Sequence, residues 1–248
     1  MATIPDRLRR EVEAYFSFVS NAETERAIQA RAYHVIRTFD DDDFASVLDV
    51  FEAAGATASV DFLGRDAEEQ GAIMAAVDER GHEVVCHGQR HTMFGDLTYE
   101  EAHDELSTAL DAIEDASGVS PNGFSAPFKQ TSEGTLRAAA ELGFEWVHGS
   151  ADDADVPTEI DLVDTVYPHD TRMLEGGTPT EDAFDRLDEA AVDGATFLFH
   201  PNMLQYYGAM EAFEAWIEAN DPVSIGEQTA AGEGVGVILD CIRPLRLE

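Results

Sequence analysis

The sequence predicts an α/β protein, a distorted or incomplete (β/α) barrel of about seven strands. Short apolar, β-branched runs alternate with segments of helical period along most of the chain. Glycine repeatedly closes the helical segments, and no linker or low-complexity stretch interrupts them. Hydrophobic residues make up 44% of 248, enough for a sizeable core. Alternating units imply parallel strands joined by right-handed crossovers, so one domain over 1–248 is expected, with a doubly wound open sheet as the competing architecture. In either fold, chemistry collects where strands end and helices begin.

A helical extension is expected over residues 1–31: Pro5 suits a first turn, and Leu8, Val12, Tyr15, Phe16 and Val19 recur at helical spacing. Residues 32–39 read as a strand, followed by a helix to about 54 that stops at Gly55. Further strands are expected at 57–64, 83–86, 123–127, 144–148, 162–167, 196–200 and 234–239. Helices are expected at about 67–80, 98–116, 132–142, 180–192 and 207–219, and Thr98 with Glu101 has capping-box spacing.

The charge balance is extreme, with 51 Asp and Glu against 15 Lys and Arg, net −36, and Lys129 as the only lysine. Acid is spread over every expected helix rather than held in a tail. Such a surface suits high salt, where screening removes self-repulsion, so a halophilic source is expected. Phosphate binding wants a basic surface, so nucleic acid is not an expected partner. The N-terminal residues lack an apolar signal core, no run approaches membrane-spanning length, and Cys86 and Cys241 form no motif. A reduced, cytoplasmic protein without membrane partners is expected. Oligomeric state is left open.

The chemistry-bearing residues stand at strand ends. Asp40 and Asp41 close the 32–39 strand; Asp42 and Asp43 follow and are read as helix caps. Taken alone, four adjacent acids equally describe a capped helix or solvated surface. His87 and His91, four apart after a short strand, could face one way on a helical turn. Two neutral imidazoles and a carboxylate form a facial triad suited to Zn²⁺ or another divalent ion. His200 closes a later strand.

The order Thr38-Phe39-Asp40-Asp41, then Gly81-His82-Glu83 leading to His87-x-x-x-His91, then Leu198-x-His200 resembles the polysaccharide deacetylase family (NodB homology, carbohydrate esterase 4) over roughly residues 32–205. The resemblance implies a distorted barrel and metal-dependent removal of acetyl groups from N-acetylated sugars or sugar conjugates. It implies that Asp41, His87 and His91 bind the metal, expected to be Zn²⁺ with Co²⁺, Mn²⁺ or Ni²⁺ as alternatives. It implies that Asp40 is the general base and His200 the general acid. Trp146 and Phe128 are the residues expected to line the substrate pocket, and Asp152 or Asp153 the acid that orients His200. A small molecule or oligosaccharide is the expected substrate.

Two positions depart from the family. Asp42 stands where a glycine is usual, and Ser125 stands where the family has an arginine that pairs with the base. Lys129, Arg90 and Arg172 are the candidate replacements. The departures keep two other readings open: hydrolysis of another amide, such as a cyclic ureide or imide, and a catalytically impaired relative that binds carbohydrate or protein.

Overall fold

The structure, a computed structural model, describes residues 28, 29, 41–150 and 155–241, with Asp41 described by its backbone alone. The expected strand at 32–39, with Asp40, and nearly all of the N-terminal helix lie outside the described residues, as do Asp152 and Asp153.

The first element whose bounds are described is helix α1 (Asp41–Ala54). Strand β1 (Ser59–Phe62) follows, then α2 (Ala67–Glu79) and β2 (Glu83–Cys86). Next come α3 (Tyr99–Ser117), β3 (Gly123–Gln130), α4 (Glu133–Glu141), β4 (Trp146–Ser150) and β5 (Asp161–Val163). The last part holds α5 (Asp170–Glu175), α6 (Thr180–Ala190), β6 (Thr196–Phe199), α7 (Pro201–Tyr207), α8 (Met210–Asn220), α9 (Ile225–Ala231) and β7 (Gly236–Leu239). The capping box at Thr98 forms as its spacing predicts. The helix expected at 207–219 is α8, and a separate short helix, α7, precedes it and ends where Gly208 takes a left-handed backbone. Helices α5 and α9 are too short to show a period in sequence.

Seven strands form one sheet in the order β5-β4-β3-β2-β1-β7-β6, and every pairing is parallel. Beyond β5 the backbone N–H of Val166 donates to Thr196 O at the start of β6 (2.8 Å), nearly closing the sheet into a barrel. Strand side chains alternate between two environments. Val60, Phe62, Val84, Cys86, Phe124, Ala126, Val147, Phe197, Phe199, Val237 and Leu239 pack outward in the main apolar core shared with the helices. The opposite face carries a small separate cluster: Val85, Trp146, Val163, Ile225 and Ile238. That inner face also carries buried polar groups, among them Ser59, Asp61, Ser125 and His148. Strand alternation thus sends one set of residues to the core and lines the barrel interior with the other.

Among the described residues no helix is long and apolar enough to cross a membrane. Cys86 and Cys241 are both buried free thiols.

Candidate active site

The parallel strands deliver their C-terminal residues to one cavity of about 340 Å³. His87 follows β2, His148 lies within β4, His200 follows β6, and Asp240 follows β7; all four line it. His87 is pinned by its backbone N–H, which donates to Phe62 O at the end of β1 (2.8 Å). Gly88 then turns the chain with φ +87°, and a Cβ there would stand 2.8 Å from the Phe94 ring, so only glycine fits. No helix carries His87 and His91. The turn at Gly88 brings their rings together instead, with centroids 5.0 Å apart.

The two imidazoles stand in different surroundings. Nδ1 of His87 lies 3.1 Å from Asp61 Oδ2, while its Nε2 is buried with no hydrogen-bond partner among the described residues. Burial works against a charged His87, but the Asp61 carboxylate outweighs it and raises the pKa. Burial holds His91 down to about 4, so it is neutral at neutral pH with a lone pair to offer. Its ring packs edge-on against Phe128, centroids 4.6 Å apart. One ligand atom from each of His87, His91 and Asp240 lies within 4.8 Å of the others. Two imidazoles, one with an orphaned Nε2, and a buried carboxylate fit a divalent cation such as Zn²⁺.

His200 stands beside this group. Its backbone N–H donates to Asp170 Oδ2 (2.9 Å), and its Nδ1 lies 3.1 Å from Asp170 Oδ1. Its Nε2 is 3.7 Å from Asp240 Oδ2. Burial opposes charge on His200, yet Asp170 raises its pKa to about 9. Asp170 in turn is held far below the usual carboxylate range: burial pushes it up, and the His200 charge outweighs that. His169 Nδ1 shares the same oxygen at 3.2 Å, so one carboxylate braces two imidazoles.

Ser125 faces the barrel interior. Its hydroxyl donates to Asp61 Oδ2 (2.9 Å) and lies 3.1 Å from His148 Nδ1. His148 Nε2 continues to Thr165 Oγ1 at 3.4 Å. Burial, then Lys129, drive the pKa of His148 down to about 3, so it joins this line as a neutral imidazole.

Of the residues expected at the site, His87, His91, His200 and Phe128 meet in the cavity. Asp40 and the Asp41 side chain lie outside the described residues. Asp42 and Asp43 lie within α1. Trp146 does not reach the cavity. As the first residue of β4 it lies at the opposite end of the barrel, its indole over Gly123 and its Nε1–H donating to Glu83 Oε1 (2.9 Å). Among the described residues Asp170 holds His200, and Asp152 and Asp153, the pair expected there, lie outside the described residues. Of the proposed stand-ins for the family arginine, Lys129 and Arg172 line the cavity, while Arg90 reaches away to Glu105 (3.0 Å). Sequence reasoning passed over Asp61, Asp170 and Asp240. Asp61, a charge inside the apolar strand β1, and Asp240, a strand-end acid like the histidines, each carried a readable signal.

Residues 28–147 match the family model for polysaccharide deacetylase. That stretch belongs to the polysaccharide deacetylase family. Solved structures extend the likeness in fold beyond it. A putative polysaccharide deacetylase from Mycobacterium smegmatis superposes with TM-score 0.61 at 16% identity, over 93% of this chain and 92% of its own. A family 4 carbohydrate esterase from Streptomyces lividans, in complex with acetate, gives TM-score 0.57 at 18% identity, over 82% and 95%. A family 4 pseudoenzyme from Bacillus anthracis gives TM-score 0.55 at 17% identity, over 82% of this chain but 61% of that one. The deacetylase motif His87-x-x-x-His91 lies within the matched stretch, whereas His200, Asp170 and Asp240 lie beyond it.

Proposed function

We propose that the protein is a metal-dependent hydrolase of non-peptide carbon–nitrogen bonds that deacetylates an N-acetylated sugar or sugar conjugate. The observation that carries this reading is the convergence of His87, His91 and Asp240 within 4.8 Å, with His200 beside them. His87 and His91 hold the cation together with a carboxylate: Asp41 by the family motif, Asp240 by position. A divalent cation held there supplies Lewis acidity toward an amide carbonyl and lowers the pKa of water.

The chain's own groups do the rest. Asp40, adjacent to Asp41 and not itself on the cation, accepts the proton of the attacking water. His200 keeps Nδ1 on Asp170, so its Nε2–H is the group aimed at the cavity and protonates the leaving amine. Asp61 on Nδ1 of His87 leaves its Nε2 for the cation, with neutral His91 beside it. Phe128 packs on His91 and forms an apolar wall beside the acyl group. A cavity of about 340 Å³ suits one or two sugar rings.

The test is release of acetate from N-acetylated sugars by the zinc-loaded protein. Asp40→Asn is expected to abolish turnover while bound zinc persists; retained turnover overturns the base assignment. A second reading, a binding protein with impaired catalysis, is favoured by Ser125, which bonds to Asp61 and His148 and brings no cation to the base. Zinc binding without turnover on sugars, ureides or imides would select it.

A further inference from the structure

We infer that Lys129 recognises an acidic substituent on the substrate, so that the site takes an acylated sugar bearing a carboxylate or a phosphate. The acyl group rests on the hydrolase reading above; the acid rests on separate observations. Lys129 is the only lysine in a chain with 51 acidic residues. A merely solvated lysine needs no special geometry, yet this one lines the cavity on a left-handed backbone, φ 58°, directly after Phe128 at φ 59°. Two successive residues with a Cβ hold that conformation only where their surroundings over-determine it. Here the β3–β4 register shifts between Ser125 and Gln130, and the Ser150 hydroxyl donates to Lys129 O (3.0 Å).

The turn separates the two side chains. Phe128 lies on His91, and the Lys129 ammonium reaches Thr165 Oγ1 (2.8 Å) and Asp164 Oδ1 (2.6 Å). An ammonium has three N–H donors, so among the described residues two are engaged and one is left for a ligand. Asp164 is 72% exposed at its side chain, so water screens its opposing charge, while the Lys129 side chain is 26% exposed. Arg172 adds a second cation to the same cavity, its Nη1 3.8 Å from Glu175 Oε2. A charge-assisted contact to a carboxylate or phosphate is the interaction an ammonium makes better than any neutral donor.

The single lysine also supplies the assay. Zinc-loaded protein labelled with ¹⁵N at lysine Nζ and ¹³C at Cε gives one side-chain signal, followed at fixed salt. The probes are N-acetylglucosamine, N-acetylmuramic acid and N-acetylglucosamine 1-phosphate. The two acidic sugars are expected to move the signal and to bind at least about 10-fold more tightly than the neutral one. The tighter of the pair identifies the acid. In Lys129→Gly, which accepts a positive φ and so keeps the turn, calorimetry is expected to find that preference gone, with the kcat/KM ratio of acidic over neutral sugar collapsing through KM. Equal binding of all three, no binding by any, or a preference surviving in Lys129→Gly overturns the inference. Selective binding of the acidic sugars without hydrolysis of any would sink the hydrolase reading and leave Lys129 in its role. Equal hydrolysis of all three would do the reverse.

Discussion

The two ends of the barrel each enclose a carboxylate, Glu83 half-buried and Asp61 buried, and they treat it in opposite ways. At the N-terminal ends of the strands, Glu83 accepts from the Ser59 hydroxyl, from the Trp146 indole (2.9 Å) and from the Gly226 backbone N–H (3.0 Å). At the other end, Asp61 accepts from Ser125 on one oxygen, while its Oδ1 is buried with no hydrogen-bond partner among the described residues. Nearby, His87 Nε2 is in the same condition. Burial raises the pKa of both acids, so desolvation is common to the two ends. What differs is completeness. A saturated network rigidifies, and an unsaturated one costs stability unless something arrives to complete it. The lower end is built to close the barrel, and the upper end is built to receive.

The sharpest break of that contrast comes from the upper end. His87→Ala is expected to remove zinc binding and turnover together, measured by metal analysis and acetate release. His200→Ala is expected to lower kcat by ~10²–10⁴-fold with zinc content unchanged. Asp61→Asn is expected to weaken zinc affinity by ~10–100-fold in a chelator competition, because it loosens His87 without removing it. Comparing Asp41→Ala with Asp240→Ala in the same competition identifies the third ligand.

At the lower end, Glu83→Ala is expected to cost about 2 kcal/mol in denaturant unfolding, leaving three donors, the Ser59 and Trp146 ones buried, without their acceptor. Zinc affinity of the folded protein should not change. If it does, the two ends are coupled and the division fails.

The His200–Asp170 pair sharpens the contrast through pH. The folded pKa of His200, about 9, lies above its ordinary 6.5. Its contribution to stability is therefore complete below about pH 6.5 and is lost as pH rises through about 9. Metal-free protein should lose stability over that window, and Asp170→Asn should flatten the loss. A smaller effect is expected at the turn beside the cavity: Lys129→Gly should gain about 1 kcal/mol by relieving a left-handed Cβ. Added salt should raise the melting temperature, as the net charge of −36 requires.

Much of this architecture was legible in the chain. Strand β2 begins and ends where its apolar run does, and α2, α3, α4 and α6 lie within a residue or two of their periodic segments. His87, His91 and His200 could be read as strand-end residues because local pattern locates strand ends. Trp146 was misread for a related reason. Its position in a strand was visible, but a parallel strand has two ends, and only the neighbours' register shows which end a residue occupies. Asp61 was missed as a charge inside an apolar run, its partners Ser125 and His87 lying 64 and 26 residues on in sequence.

By itself, then, the sequence determined the alternation of strands and helices, the acidic surface and the imidazoles offered at strand ends, since each depends on periods of a few residues. Only the tertiary structure decided which carboxylate meets which imidazole. Asp61 reaches His87 because β1 pairs with β2, and Asp240 approaches His200 because β7 lies beside β6. Strand order and register are set by burial over the whole chain, so no local window of sequence contains them.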